Sequence, residues 1–213
     1  MVSEVQQRMK KILDYFIIDG TPGGNQEWLP EWDMNMGGCA AVTACDTCIF
    51  LARQNEKFRT LYPFDKENLS RIDFIKFASI MKPFLRPRYH GIDYLETYIC
   101  GFYDYMKEIK NNSLTLEGLS GDVDYETFKS AIVEQIDRNF PVPFLMLNHH
   151  DIKLDDFEWH WFNLAGYEEL DNDIKVLTVT YAEYQWFSLR NMHDTQKDRK
   201  GGVILIKDKD IKD

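Results

Sequence analysis

The chain changes texture near residue 140, and few folds accommodate that change. Before it, apolar residues recur at helical spacing. After it come four short segments rich in β-branched and aromatic residues: PVPFLMLN (141–148), HWFNLAGY (160–167), IKVLTVTY (174–181) and GVILIK (202–207). Turn-like stretches such as EELDND separate them, so the second half predicts a mostly antiparallel sheet and the whole chain an α+β class. At 213 residues the chain is within reach of one two-lobed domain. We expect a single domain over 1–213, with a helical lobe at 1–139 packed on a sheet lobe at 140–213.

In the first half, Val5, Met9, Ile12, Leu13, Phe16 and Ile17 predict a helix from Val5 to about Ile18, stopping at Asp19-Gly20. TPGGNQEWLPEWDMNMGG (21–38) predicts a long irregular loop pinned by its tryptophans. The run from Cys39 to about Arg53 is rich in alanine and aliphatic residues and predicts a helix entered through Gly37-Gly38. Further helices are expected at 70–81, 91–109 and 124–138. The last has Asp124 as N-cap and Phe128, Ile132 and Ile136 at a spacing of four.

A formal charge of −10, with acids and bases interspersed, argues against nucleic acid or an anionic membrane as the main partner. There is no apolar run of membrane-spanning length, and the first residues lack the apolar core of a secretory signal. A cytoplasmic protein is the expectation. Four cysteines, Cys39, Cys45, Cys48 and Cys100, do not make a disulfide scaffold at this length, so reduced thiols are the default. No cofactor is expected.

The cysteines are not equivalent. Cys45-x-x-Cys48 has the spacing of half a zinc site, but it lies inside an apolar helix where free cysteine packs as a small hydrophobe, so no metal is expected. Cys100, in the aromatic helix YLETYICGFYDY, is read as core on the same grounds. Cys39 begins its helix, where unpaired backbone N–H groups and the helix dipole lower a thiol's pKa and supply an oxyanion donor. That setting makes it a candidate nucleophile, although cysteine also packs at helix starts.

A nucleophilic thiol needs a histidine from another element. Among His90, His149, His150, His160 and His193, His160 begins a strand whose alternation places His160, Phe162 and Leu164 on one face and Trp161 and Asn163 on the other. His160 is the first choice and His150 the reserve.

NQEWLPEW…GGCAAVTACDTCIFLA, followed far downstream by PVPFLMLN and EWHWFNLAGYEE, resembles the papain-like cysteine peptidases. The nearest group is the bacterial peptidases that remove double-glycine leaders from bacteriocins. The resemblance touches three short segments, and residues 54–138 match no pattern of that group. It implies a papain-like fold, Cys39 as nucleophile, His160 as general base and acid, and a peptide or amide substrate. It also implies that the glutamine upstream of the cysteine donates to the oxyanion together with the cysteine's own N–H. That glutamine is Gln26, with Asn25 and Asn35 as fallbacks. Relatives orient the histidine with an Asp or Asn at the end of the following strand. Here VTYAEYQW offers instead Thr180, as a neutral hydroxyl, or Glu183, as a carboxylate. The same apparatus serves an acyltransferase, and a decayed site would leave a non-enzymatic interaction module.

Overall fold

A computed structural model describes residues 9–88, 91–171 and 173–210 of the protein. In chain order the elements are β1 (Lys10–Ile12), β2 (Ile17–Ile18), β3 (Thr21–Pro22), α1 (Trp32–Gly37), α2 (Cys39–Gln54), α3 (Arg71–Met81), α4 (Leu95–Glu108) and β4 (Leu114–Ser120). There follow α5 (Tyr125–Asp137), β5 (Val142–Met146), β6 (His160–Glu169), β7 (Ile174–Thr180), β8 (Glu183–Ser188), α6 (Leu189–His193) and β9 (Gly201–Asp208). Short 3-10 turns lie at Gln26–Trp28, Glu56–Leu61 and Ile152–Phe157.

Seven strands form one antiparallel sheet in the order β4-β9-β5-β6-β7-β8, with β1 added to β6 beyond the end of β5. The class is α+β. Alternation along β6 sends Trp161 toward α4, where it stacks on Tyr98 at 4.4 Å, and Asn163 toward α2. Phe162 points the other way, stacking on its cross-strand partner Phe144 at 5.1 Å, which in turn meets Phe128 of α5. The sheet is thus covered on both faces, and β5 is buried throughout.

Helix α2 is the core element. Every residue from Cys39 to Ala52 is buried, and the alanines at 40, 41, 44 and 52 let it lie close between β6 and α3. Capping sets the ends of its neighbours: the Ser70 hydroxyl accepts from the Asp73 N–H at the start of α3, and the Asp124 carboxylate accepts from the Thr127 N–H at the start of α5.

Three expectations fail. The described part of the Val5–Ile18 stretch, residues 9–18, is extended rather than helical, while residues 5–8 lie outside the described residues. A helical stripe would bury Met9, Ile12 and Ile17, yet these are exposed, and Leu13, Tyr15, Phe16 and Ile18 are buried. Pairing of β1 with Gly166–Glu168 overrides the periodicity. The segment 21–38 is not all loop, since it holds a 3-10 turn and α1. Cys100 is exposed, because α4 turns Leu95, Tyr98, Phe102 and Tyr105 inward. The strands β4 and β8 were not anticipated, and β4 draws part of the first half into the sheet.

Gly38 joins α1 to α2 where no side chain fits: a Cβ there would stand 2.4 Å from the Met34 carbonyl oxygen. Gly38→Ala is expected to lower stability by about 1–3 kcal/mol in urea unfolding, because backbone rather than a flexible side chain must yield.

Candidate functional site

The first turn of α2 brings Cys39 to the beginning of β6. The backbone N–H groups of Trp161, Ala40 and Cys39 itself lie near enough to the sulfur to favour its thiolate. Asn163–Val179 is the first pair that β6 makes with β7, so Trp161 lies two residues beyond that ladder. Three donors favour the thiolate. Burial opposes them and wins: Cys39 is 6% exposed, and its thiol pKa is raised above the ordinary value rather than lowered. The expectation of a thiol activated by the helix start alone is therefore not met, because the same geometry that supplies N–H groups excludes water.

His160 is the residue before Trp161. Its Nε2 hydrogen-bonds Thr180 Oγ1 at 2.7 Å, and its Nδ1 lies 3.5 Å from the Tyr181 hydroxyl. In the Nε2–H tautomer the imidazole donates to Thr180, and Nδ1 keeps its lone pair. His160 is 5% exposed, and burial pulls its pKa down to about 4. At neutral pH Cys39 is therefore a thiol and His160 a neutral imidazole.

Thr180 occupies the place at the end of β7 where an orienting residue was sought. Glu183 is exposed and reaches Gln185 rather than the imidazole. Register explains the difference: Thr180 and Glu183 are paired across the β7–β8 turn, but only Thr180 faces His160.

Gln26 opens the 3-10 turn Gln26–Trp28, and its Oε1 is buried without a hydrogen-bond partner. Its neighbour Glu27 lies close enough to Tyr181 to help raise the phenol, together with Cys39 and Asp156; burial, the largest cause, brings that pKa to about 12. The Gln26 turn thus borders the same small region. Asn25 caps the turn by accepting from the Glu27 N–H, and the Asn35 amide donates to the carbonyls of Gln26, Glu27 and Leu29. The Asn35 amide is thus engaged by backbone carbonyls, while the Asn25 oxygen is taken up by the cap.

A buried polar network beneath the site ties these pieces together. The Asp46 carboxylate on α2 accepts from the Gly24 N–H at 3.0 and 3.2 Å and from the Tyr15 hydroxyl at 3.4 Å. The Asn163 amide donates to the Tyr15 hydroxyl and the Thr43 carbonyl and accepts from the Thr47 hydroxyl. Burial pushes the Asp46 pKa up to about 8, against the opposing pull of the Gly24 N–H and Tyr15. No simple pattern in the sequence marks this network, because its members lie in four separate segments.

The remaining candidates are elsewhere. His149 accepts from the Asp151 N–H through Nδ1, so its Nε2–H donates to the Asn191 carbonyl. His150 contacts the Thr195 carbonyl and Gln196, and His193 the Val123 carbonyl. These rings hold loops. His90 lies outside the described residues. Cys45 and Cys48 are fully buried among apolar side chains, and among the described residues no cluster of three metal-ligating side chains is found. Trp161 is buried, whereas Trp32 and Trp159 are exposed. Among the described residues no helix is long and apolar enough to cross a membrane. No family model matches the sequence, and neither a curated protein nor a solved structure matches it.

The two shifted groups act oppositely on stability. His160, depressed from 6.5 to about 4, contributes stability that is complete above pH 6.5 and lost as pH falls toward 4. Asp46, raised from 3.8 to about 8, contributes stability that is complete below 3.8 and lost as pH rises toward 8. Chemical denaturation should therefore show the wild type losing, relative to Asp46→Asn, about 1.4 kcal/mol per pH unit between 4 and 8. Parallel curves for the two proteins would contradict the buried neutral carboxyl.

Proposed function

We propose that this protein is a papain-like thiol hydrolase that cleaves a peptide or amide bond. The observation that carries the reading is the proximity of Cys39 to the start of β6, where the Trp161 N–H favours its thiolate and the preceding residue His160 is oriented through Nε2 by Thr180. The helix-start cysteine and the strand histidine come from opposite halves of the chain, as this chemistry requires.

In this mechanism the thiol proton passes to His160 Nδ1 as the sulfur attacks the substrate carbonyl. The oxyanion is held by the Cys39 N–H and the Gln26 side-chain amide. Collapse expels the amine, which takes the proton back from the imidazolium, and water assisted by His160 then hydrolyses the thioester. Since thiol and imidazole are both neutral at rest, proton transfer accompanies attack instead of preceding it. An amine acceptor in place of water would make the same sequence an acyl transfer. A non-enzymatic interaction module is favoured by one observation, the nearly complete burial of both reactive groups.

A small activated ester separates these readings. p-Nitrophenyl acetate should acetylate Cys39, as read by peptide mapping, and Cys39→Ala should abolish turnover. His160→Ala should slow acylation about 100-fold or more. Thr180→Val should slow it about tenfold, the worth of one neutral hydrogen bond. Acetylation confined to exposed Cys100, with turnover intact in Cys39→Ala, would end the enzyme reading.

A further inference from the structure

Three aromatic rings surround the His160 imidazole. Phe157 and Phe162 approach from the core, with ring centroids at 6.5 and 6.1 Å, and both are buried. Tyr181 stacks face to face on the imidazole at 4.6 Å, with the rings only 3° from parallel, and it alone of the three is partly exposed. The solvent side of the imidazole is therefore Tyr181, whose hydroxyl is also near enough to Cys39 for its pKa to be raised by it, and the low exposure of His160 depends on where that ring rests.

The backbone beneath this ring is costly. Tyr181 and Ala182 form the two-residue turn between β7 and β8, with φ of 52° and 60°. Two consecutive left-handed residues make the turn that hairpins normally fill with Asn-Gly, because other side chains crowd the backbone there. A tyrosine at the first position is not explained by the turn. Among the described residues its hydroxyl has two long contacts, 3.5 Å to His160 Nδ1 and 3.4 Å to the Asp156 carbonyl oxygen, both at the limit of hydrogen-bond length. Packing and turn strain, rather than strong hydrogen bonds, hold the ring in place, which is the character of a part that moves. The titratable groups facing the hydroxyl are His160 on β6, Cys39 on α2, Asp156 in the 3-10 turn Ile152–Phe157 and Glu27 in the turn after Gln26.

We propose that Tyr181 is a gate over the Cys39–His160 pair, closed in this structure with its ring on the imidazole and its hydroxyl against Nδ1, and displaced when an acyl substrate enters. Opening frees Nδ1 to take the thiol proton and lets water reach the imidazole. The steric part stands on the geometry alone, and the consequence for catalysis rests on the thiol hydrolase reading. Closed, the site protects a thiol from adventitious alkylation and oxidation.

The decisive variant is Tyr181→Asn, which removes the ring while suiting the turn, so the hairpin is expected to fold at least as well as in the parent. In the full-length protein, iodoacetamide labelling of Cys39, measured by peptide mapping and normalised to exposed Cys100, should become about tenfold faster or more as the buried thiol is uncovered. The His160 titration, followed by NMR, should move up from about 4 toward 6.5 as the ring becomes hydrated. Tyr181→Phe keeps the cover and should label like the parent. The gate is overturned if folded Tyr181→Asn labels Cys39 no faster than the parent, or if Tyr181→Phe labels as fast as Tyr181→Asn. Failure of the hydrolase reading would look different: Cys39 would still be uncovered in Tyr181→Asn, but its acylation by p-nitrophenyl acetate would be indifferent to His160→Ala.

Discussion

The arrangement of the site depends on one buried hydrogen-bonded chain, from Gly24 through Asp46 and Tyr15 to Asn163 and then to Thr43 and Thr47. Its members belong to the four segments that carry or adjoin Cys39, His160 and Gln26. Asp46, Thr43 and Thr47 lie on the helix that Cys39 begins, and Asn163 lies three residues along the strand that His160 begins. Gly24 lies two residues before Gln26, and Tyr15 comes from the extended N-terminal segment. A fully satisfied polar network is directional where apolar packing is not, so it sets rotation and translation of α2 against β6. In an otherwise apolar interface, that is the degree of freedom a site with sub-ångström tolerances cannot leave loose.

The same burial that makes the network strong decides the charge state above it. A helix N-terminus and three N–H donors favour a thiolate, but their influence is limited to a turn or so, whereas loss of water acts on the whole side chain. Cys39 and His160 answer in the same direction, each toward its neutral form. An Asp at the orienting position would stabilise an imidazolium; Thr180 offers a hydroxyl with no charge. The neutral partner and the neutral pair are therefore mutually consistent features, and a carboxylate introduced at 180 would change both.

Much of this was legible in the sequence, and the exceptions share a cause. The helices at 71–81, 95–108 and 125–137 follow from periodicity and capping, and Cys39 as the first residue of α2 follows from two glycines before an alanine-rich run. The strand beginning at His160 follows from its alternation. What was not legible depends on partners distant in the chain. Residues 9–18 carry a helical stripe, but Lys10–Ile12 pair with β6, about 150 residues away, and local spacing cannot register that competition. The sequence offers both Thr180 and Glu183, and only the hairpin register puts one on the imidazole and the other in solvent. Cys100 looked like core because its neighbours are aromatic, but it is their faces on α4, not their density, that are buried.

Tyr181 was the least legible of all, and the reason is instructive. A tyrosine after a strand reads as the end of that strand, and only the left-handed backbone of the turn reveals that it is misplaced by the usual rules of hairpins. Trp159, also left-handed, precedes His160 in the same way. Both strands that meet at the imidazole thus have an aromatic residue in a disfavoured conformation at the end nearest the site, a coincidence that local stability does not produce. Strain of this kind persists when the surroundings over-determine it. Here those surroundings are the firmly paired strands β6 and β7, whose ends hold the Tyr181 ring face to face on the His160 imidazole.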